Sequence, residues 1–312
     1  MDIAIIGAGM AGLTCGMHLR TAGHTVRIYD KGRGPGGRMA TRRAEAAGET
    51  LRFDHGAQYF TVKDPRFCEQ VDAWEEQGVA ARWPAAGDDA WVGTPGMNAP
   101  IKTMADKLDA EFGIRVDGIR REGDAYWLVA DGDTLGTSVD AVVVAVPAEQ
   151  AGPLVVDHVP RFAEMASATK SDPCWTVMAG FAEPLDHEDT IRDAGPIGWA
   201  ARNSAKPDRI GGECWVVQAC PEWSREHLED EKEKVVTALL DTLRKQLGGK
   251  MPVPVHTDAH RWRYSRSGSA GEGALWDEEH RIGLCGDWLI GPRVESAYVS
   301  GRELAEKIGP GD

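Results

Sequence analysis

Near its start the chain shows a strand pattern, a helix pattern and a second strand pattern in succession. Ile3 to Ile6 is a short apolar run, typical of a parallel strand that is buried on both faces. Apolar residues then recur at helical spacing from Leu13 to Leu19, and a second apolar segment covers residues 24–29. This order predicts a βαβ unit in a parallel sheet.

A helix and a hairpin are predicted next. Phe67, Val71 and Trp74 recur at helical spacing and predict a helix over residues 64–78. Trp83 and Trp91 then flank the polar turn AAGDD, which predicts a hairpin in a second domain. The pattern returns to helical spacing after Pro100.

Three strands are predicted between residues 114 and 146. They cover residues 114–119, 125–130 and 139–146, and the turn-rich segments EGD and DGDTLGTS separate them. The third strand contains AVVVAV and stops at Pro147. Because it is apolar throughout, we expect it to be a buried parallel strand of the first sheet.

The rest of the chain predicts a second sheet and a return to the first. Residues 150–265 alternate between strand patterns and one long helix, from about Ser224 to Leu247. Leu228, Val235, Leu239 and Leu243 form the apolar side of that helix. A strand over residues 282–285 and a helix from about Val294 follow.

Glycines mark the turn between the first strand and the first helix. Gly7, Gly9 and Gly12 stand in the order G-A-G-M-A-G, which permits a tight turn, close approach of a pyrophosphate and close helix packing. The helix N-terminus then offers free N–H groups to phosphates. Asp30 ends the second strand, where a carboxylate can bind a ribose diol and disfavours a 2′-phosphate. The context predicts a dinucleotide site.

A second glycine cluster follows the acidic residue. Residues 31–43 contain five basic side chains and no acidic one. Gly36 and Gly37 precede Arg38, which indicates backbone close to a ligand and a guanidinium within reach of a phosphate. The alternative is a solvated basic loop, which would explain the charges but not the paired glycines.

Composition excludes several kinds of partner. With a formal net charge of −14 the chain is a poor candidate for nucleic-acid binding, and no apolar run is long enough for a membrane span. The six cysteines are scattered without a C-x-x-C pair, so we expect reduced thiols, no metal site and a cytoplasmic protein.

Asp30, Gly36, Gly37, Arg38 and Thr41 together resemble the signature of the FAD-dependent amine oxidase superfamily. That family more often has glutamate at the position of Asp30, and often an arginine at that of Gly34. The resemblance implies a non-covalently held FAD. The residues it implies in FAD binding are Gly7, Gly9, Ala11, Gly12, Asp30, Lys31, Gly37, Arg38, Met39, Gly56, Ala57, Gln58, Val116, Pro147, Gly286, Asp287, Val294, Glu295 and Ser296.

The resemblance also implies a fold and a domain order. We expect an α/β protein in which a Rossmann-like FAD-binding domain of the glutathione-reductase-like superfamily carries an inserted mixed-sheet α+β substrate domain. The FAD-binding domain would comprise residues 1–78, 96–160 and 266–312. The substrate-binding domain would comprise residues 79–95 and 161–265.

Segments along most of the chain resemble the renalase-like members of this superfamily. They include GPGGRMATRR, FDHGAQYFT, GWAARNSAKP, ECWVVQACPEWSREHLE and HRWRYS. The resemblance implies an oxidase that takes hydride from 2- or 6-dihydro isomers of NAD(P) to flavin N5, with O2 as acceptor and H2O2 as product. An amine oxidase, a carotenoid-type desaturase and a flavin-bound redox sensor without turnover remain as alternatives.

The substrate pocket is predicted around residues 259–265. As a strand this segment places His260, Trp262 and Tyr264 on one face, and Arg261 and Arg263 on the other. The aromatic face suits a flat nicotinamide or an amine cage, the arginine face suits a dinucleotide phosphate, and either face could be core or surface. The pocket candidates are Tyr59, Trp199, His260, Trp262, Arg263 and Tyr264. No catalytic residue is assigned, because hydride loss from a dihydropyridine requires no protein base.

Overall fold

A computed structural model describes residues 1–311. Its strands are β1 (Asp2–Ile6), β2 (Thr25–Asp30), β3 (Thr41–Ala46), β4 (Glu49–Asp54), β5 (Phe60–Thr61), β6 (Ala80–Arg82), β7 (Ala90–Gly93), β8 (Glu111–Phe112), β9 (Gly118–Glu122), β10 (Ala125–Ala130), β11 (Asp133–Val139), β12 (Ala141–Val144), β13 (Asp172–Phe181), β14 (Thr190–Ala194), β15 (Ile197–Arg202), β16 (Glu213–Ala219), β17 (His256–Arg266), β18 (Leu275–Asp277) and β19 (Ile282–Leu284). Its helices are α1 (Met10–Thr21), α2 (Pro65–Glu76), α3 (Ala99–Leu108), α4 (Ala148–Val155), α5 (Pro160–Ala168), α6 (Pro221–Glu226), α7 (Lys232–Gln246), α8 (Asp287–Ile290) and α9 (Val294–Ile308).

The main sheet has the order β18-β19-β12-β1-β2-β8. Its strands are parallel except for β18, which runs antiparallel to β19. β1 lies between β2 and β12, with Ile3 opposite both Val26 and Ala141. The predicted βαβ unit and the return of the AVVVAV strand to the first sheet are therefore confirmed.

The segment between β10 and β12 differs from the prediction. DGDTLGTS was expected to be a turn, but Asp133 to Val139 form β11, which pairs with β10. The turn is confined to Asp131 and Gly132, whose φ angles are 52° and 88°. An Asp-Gly pair with positive φ closes a two-residue hairpin, so the polar residues that follow belong to an exposed strand. The strand expected at residues 114–119 begins only at Gly118.

The helix expected at residues 64–78 and the hairpin after it are both confirmed. α2 begins after Asp64, whose carboxylate accepts a hydrogen bond from the backbone N–H of Arg66. Trp83 and Trp91 of the β6–β7 hairpin are buried in the same hydrophobic cluster as β1 and α1. This packing favours grouping residues 79–95 with the main sheet, and the division of the chain into domains stays a prediction.

The long helix expected between Ser224 and Leu247 is two helices, α6 and α7. Residues 227–231 leave the helical path. There the imidazole Nδ1 of His227 lies 2.6 Å from a carboxylate oxygen of Asp230, and Glu229 forms ion pairs with two arginines of β17. Leu228 is therefore outside the helix, whereas Val235, Leu239 and Leu243 are buried as expected.

A second sheet has the order β14-β15-β16-β13-β17 and is antiparallel throughout, whereas a mixed sheet was expected. α7 packs on one of its faces, where Val235 and Leu239 meet Trp215 and Val217. On the other face Met178, Cys214 and Val216 pack against β4. One end of β17 reaches the carboxyl ends of the main-sheet strands, so the two sheets meet where ligands bind in parallel α/β folds.

Candidate functional site

A cavity of about 680 Å³ lies between the two sheets. This volume is within the usual range for cofactor and ligand sites. The main-sheet side supplies Gly9, Met10, Ala11, Gly36, Arg38, Met39, Ala145, Val146, Gly286, Asp287, Arg293, Val294 and Ala297. The other walls include Gly56, Ala57, Gln58, Tyr59, Cys174, Arg192, Asp193, Trp199, Gln218, Cys220, Glu222, Trp262 and Arg266.

The glycine turn after β1 has the geometry of a phosphate cradle. A Cβ at Gly7 would lie 2.5 Å from the carbonyl oxygen of Ala145, and one at Gly12 would lie 2.0 Å from that of Gly7. A Cβ at Gly9 would meet no atom within 4 Å, and Gly9 lines the cavity. α1 starts at this point without a side-chain cap or an acidic first turn, so its N–H groups are available to an anion.

Asp30 lies directly beside this turn. One carboxylate oxygen accepts from the backbone N–H of Ala8 at 2.8 Å, and the other from that of Gly32 at 2.6 Å. These bonds fix the carboxylate and leave lone pairs for a further donor. Asp30 does not line the cavity itself, so its contact with a ribose stays a prediction.

Arg38 and Asp287 join the two distant glycine motifs. The guanidinium donates to both carboxylate oxygens of Asp287, at 2.9 and 2.6 Å. The hydroxyl of Ser267 also donates to this carboxylate, at 2.9 Å. Both charged side chains line the cavity, which places a cation and an anion at the same point of the wall.

The segment Gly56 to Gln58 forms part of the wall. A Cβ at Gly56 would lie 2.0 Å from the carbonyl oxygen of Arg38, and the N–H of Ala57 donates to that oxygen at 2.8 Å. The carbonyl oxygen of Gly56 accepts from the side-chain amides of Gln58, at 3.2 Å, and Gln218, at 2.7 Å. This peptide is therefore fixed at both its N–H and its C=O.

The N-terminus of α9 also faces the cavity. Val294 and Ala297 line it, and no side chain caps the helix. Glu295 points elsewhere, because its carboxylate accepts from the backbone N–H groups of Lys63 and Asp64 at 2.5 and 2.7 Å. Ser296 is buried and does not line the cavity.

Other predicted cofactor residues lie behind or beside the wall. Lys31 donates to the side-chain oxygen of Gln150 at 3.0 Å, and Val116 is buried in the core. Gly37 begins a 3-10 turn, and Pro147 directly precedes α4. None of these four residues lines the cavity, so their contacts with a cofactor stay predictions.

Three of the six pocket candidates come together. The rings of Tyr59 and Trp199 lie 5.4 Å apart, and both line the cavity with Trp262. The indole N–H of Trp262 donates to the carbonyl of His55 at 2.7 Å. The buried indole nitrogen of Trp199 has no hydrogen-bond partner among residues 1–311.

The other three candidates do not line the cavity. Arg263 forms an ion pair with Glu229 at 2.7 Å on the outside of the sheet. His260 stacks edge-on against His55 and lies 3.2 Å from a guanidinium nitrogen of Arg42. Tyr264, the residue after Arg263 on β17, is partly buried. The aromatic face of β17 therefore reaches the cavity through Trp262.

The two histidines are poor proton acceptors at neutral pH. Burial, then the neighbouring His260 and Arg42, lowers the pKa of His55 to about 4. Burial, then Arg42 and Lys232, lowers the pKa of His260 to about 4. Both rings are consequently neutral at pH 7, and neither is placed as a general base.

Sequence reasoning missed a buried ionic group and a cavity arginine. Asp54 and Lys206 are fully buried and lie 3.1 Å apart, and the guanidinium of Arg209 lies 2.6 Å from the same carboxylate oxygen. Arg192 lines the cavity, with its guanidinium carbon 4.5 Å from the ring centre of Trp199. These side chains come from separate elements, and no local pattern marks them.

The chain matches two families of known proteins. Residues 5–72 match the NAD(P)-binding Rossmann-like domain. Residues 84–309 match the family described as flavin containing amine oxidoreductase. The chain belongs to the flavin-containing amine oxidoreductase family. It is thus an FAD-dependent oxidoreductase, and the flavin is the cofactor that the family implies.

Solved structures of this family share the fold at low identity. Cyclohexylamine oxidase from Brevibacterium oxydans IH-35A has 13% identity and a TM-score of 0.72, with 98% of each chain covered. A putative protoporphyrinogen oxidase from Exiguobacterium sp. 255-15 has 13% identity and a TM-score of 0.73, again over 98% of each chain. A triple mutant of putrescine oxidase has 16% identity and a TM-score of 0.75 over 98% of each chain.

The cavity fits a flavin dinucleotide. The open position at Gly9, the uncapped start of α1 and the arginine at position 38 suit a pyrophosphate. The uncapped start of α9 suits the end of a flavin ring that becomes negative on reduction. Among residues 1–311 no cluster of side chains has the composition of a metal site, and no helix is long and apolar enough to cross a membrane.

Proposed function

We propose that this protein is a renalase-like oxidase whose substrates are 2- or 6-dihydro isomers of NAD(P). The flavin would supply hydride acceptance at N5 and reoxidation by O2, so that substrate, O2 and a proton give the oxidised nicotinamide and H2O2. The residues of this chain would bind and orient the dihydropyridine ring against the flavin.

We also propose a cytoplasmic location, because all six cysteines are free thiols.

The position of Arg192 supports this proposal over amine oxidation. An aromatic cage attracts a cationic amine through the faces of its rings. Here the guanidinium of Arg192 already covers the face of Trp199, at 4.5 Å from the ring centre. A second cation at this position would be repelled, whereas a dinucleotide phosphate would be attracted.

The neighbouring groups suit a nicotinamide ring. Tyr59 offers a flat surface on which a planar ring can stack, and the unpartnered indole N–H of Trp199 can donate to a carboxamide oxygen. Neither neutral histidine is required, because the substrate becomes aromatic as hydride leaves.

The proposed FAD attachment is non-covalent. Cys174 and Cys220 are the cysteines in the cavity wall. Burial raises the pKa of Cys174 to about 11, so its thiolate is scarce at neutral pH and the sulfur is a weak nucleophile.

A second candidate, amine oxidation, is favoured by one observation. The carboxylates of Asp193 and Glu222 also line the cavity, and both are exposed enough to bind an ammonium group.

Anaerobic stopped-flow mixing separates the two functions. The flavin band near 450 nm (roughly, a property of flavins in general) should bleach within seconds with borohydride-generated NADH isomers, and much more slowly with ordinary NADH.

The amine arm of the same experiment uses benzylamine and putrescine. Bleaching by an amine but by no dihydronicotinamide isomer would overturn the proposed substrate class. If neither group of compounds reduces the bound flavin, a redox sensor without turnover becomes the better hypothesis.

A further inference from the structure

Lys206 is a buried cation next to the cavity wall. Its side chain is fully shielded from solvent, and its ammonium nitrogen lies 5.2 Å from the ring centre of Trp83. It donates to a carboxylate oxygen of Asp54 at 3.1 Å and to the side-chain oxygen of Gln58 at 3.3 Å. Gln58 itself lines the cavity, so Lys206 is one side chain away from any bound ligand.

The contact with Asp54 does not depend on Lys206 alone. Arg209 donates to the same carboxylate oxygen from two nitrogens, at 2.6 and 3.2 Å. The other oxygen accepts from the hydroxyl of Thr41 at 2.7 Å and from the backbone N–H of Met97 at 3.0 Å. Burial opposes ionisation of Asp54, but Lys206 and Arg209 outweigh it, and the pKa of this carboxyl lies well below its usual range.

Lys206 shares its contact with Asp54 with Arg209, but Lys206 alone of these two cations donates to the side-chain oxygen of Gln58. The amide nitrogen of Gln58 donates to the backbone carbonyls of Asp54 and Gly56. Its oxygen therefore points the other way, where Lys206 donates to it. If the amide turned over, its oxygen would face two carbonyl oxygens and the ammonium group would face an NH2, which is unfavourable on both sides.

The side-chain amide of Gln58 donates a hydrogen bond to the carbonyl end of the Gly56–Ala57 peptide in the cavity wall. The carbonyl of Gly56 accepts from Gln58 and from Gln218, while the N–H of Ala57 donates to the carbonyl of Arg38. Gly56 has no room for a side chain at this contact. The amide of Gln58 thus helps, together with that of Gln218, to fix the carbonyl of Gly56.

We propose that Lys206 is a positioning residue of the flavin site, which fixes the amide of Gln58 and through it the polarity of the Gly56–Ala57 peptide. The inference rests on the flavin site of the proposed function and is independent of the substrate. Losing the donor would let the amide of Gln58 turn over and would remove one of the two hydrogen bonds to the Gly56 carbonyl. The oxygen of that carbonyl would then carry more uncompensated negative charge beside the flavin, which disfavours the negative charge of the reduced ring.

The test compares Lys206→Met with Arg209→Leu, which removes the other cation from Asp54 but leaves the donor to Gln58 in place. Both variants should lower the melting temperature of the apoprotein. Only Lys206→Met should shift the absorption spectrum of bound FAD, lower its midpoint potential and raise its Kd, by roughly tenfold for one lost hydrogen bond. Equal shifts in the two variants would show a merely structural role and overturn the proposal.

A pH titration gives a second readout. The charged groups that face Lys206 are Asp54 and Arg209. Burial lowers the pKa of Lys206 to about 8, with Asp54 raising it and Arg209 lowering it further. The spectrum of the wild-type flavoprotein should therefore change near pH 8, where the donor becomes a weaker neutral amine, and this change should be lost in Lys206→Met. A wild-type spectrum that stays constant from pH 6 to pH 10 contradicts the assignment.

Gln58→Met keeps the test decisive if Lys206→Met fails to fold, because it leaves all three charges in place. It should reproduce the shifts in spectrum and Kd, and where Lys206→Met does fold, the double variant should show no further shift. Unchanged flavin properties in Gln58→Met overturn the inference. Flavin that binds normally but is not reduced by dihydronicotinamides would overturn only the proposed function, whereas a wild type that binds no FAD would overturn both.

Discussion

The guanidinium of Arg38 and the carboxylate of Asp287 are 249 positions apart in the chain and form a two-pronged ion pair in the cavity wall. Asp287 is 5% exposed, so removal of Arg38 would leave a nearly buried anion where the FAD phosphates are expected. Arg38→Gln should therefore raise the Kd for FAD by roughly 100-fold. Asp287→Asn should raise it by roughly tenfold, because Arg38 loses the charged acceptor that orients its guanidinium. Fluorescence titration of the apoprotein with FAD measures both values.

The matched control for Arg38 is Arg43, an exposed arginine of the same basic stretch. Arg43→Gln should leave the Kd for FAD unchanged. If Arg38→Gln behaved in the same way, the second glycine cluster would have no part in cofactor binding.

A substitution at Asp30 should affect binding of the adenosine half of FAD more than binding of its flavin half. Asp30→Ala should raise the Kd for FAD by roughly 10- to 100-fold, because it loses a charged acceptor for the ribose and loosens the backbone at Ala8 and Gly32. Affinity for FMN, which lacks the adenosine ribose, should change far less. Wild-type FAD occupancy in this variant would remove Asp30 from the site.

Arg192 gives a prediction about substrate choice. Arg192→Gln should raise KM for dihydronicotinamide isomers by roughly tenfold and make bleaching by amines easier to detect, since it removes the proposed phosphate contact and uncovers Trp199. Arg82 lies 4.5 Å from the ring centre of Trp91, outside the cavity wall, and Arg82→Gln is the matched control. A similar KM increase in both variants would show that the effect comes from loss of charge in general.

The pair His55 and His260 predicts a loss of stability in mild acid. Their pKa values of about 4 lie below the value of roughly 6.5 expected in the unfolded chain. Between these values the unfolded state binds protons that the native state does not, so the free energy of unfolding falls as pH drops from about 6.5 to about 4. For the buried His55 the slope is at most about 1.4 kcal/mol per pH unit.

Denaturant unfolding of the apoprotein at several pH values in this window measures that slope. The variant His55→Asn/His260→Asn should show a flatter dependence on pH than the wild type. An equal slope in the two proteins would mean that other groups cause the acid sensitivity.

The parts of the site that lie close together in the chain were visible in the sequence. The turn through Gly7 and Gly12 and the parallel strand ending at Val144 follow from glycine spacing and apolar periodicity, which are local properties. The helix expected from about Val294 was likewise visible, and α9 begins at that residue. The Asp-Gly turn at residues 131–132 was also visible, but its length was overestimated, because the strand after it is polar and exposed.

Contacts between distant elements could not be found in this way. Asp54 and Lys206 are 152 positions apart, and each alone resembles an ordinary surface charge in a chain of this composition. Their burial depends on how the second sheet packs against β4, and no period along the sequence records that packing. Arg192 was missed for a different reason. It lies opposite Trp199 in the hairpin of β14 and β15, and the sequence does not show that this hairpin borders the cavity.

The arginines in the cavity wall stand in contrast to the charge of the whole chain. Arg38, Arg192, Arg266 and Arg293 line the cavity of a molecule whose formal net charge is −14. A phosphorylated ligand is thus repelled at long range and attracted only within a screening length, which is about 8 Å at physiological salt. For the dinucleotide substrate proposed above, added salt should therefore accelerate encounter rather than slow it, because the arginines in the wall act only after the anion has arrived.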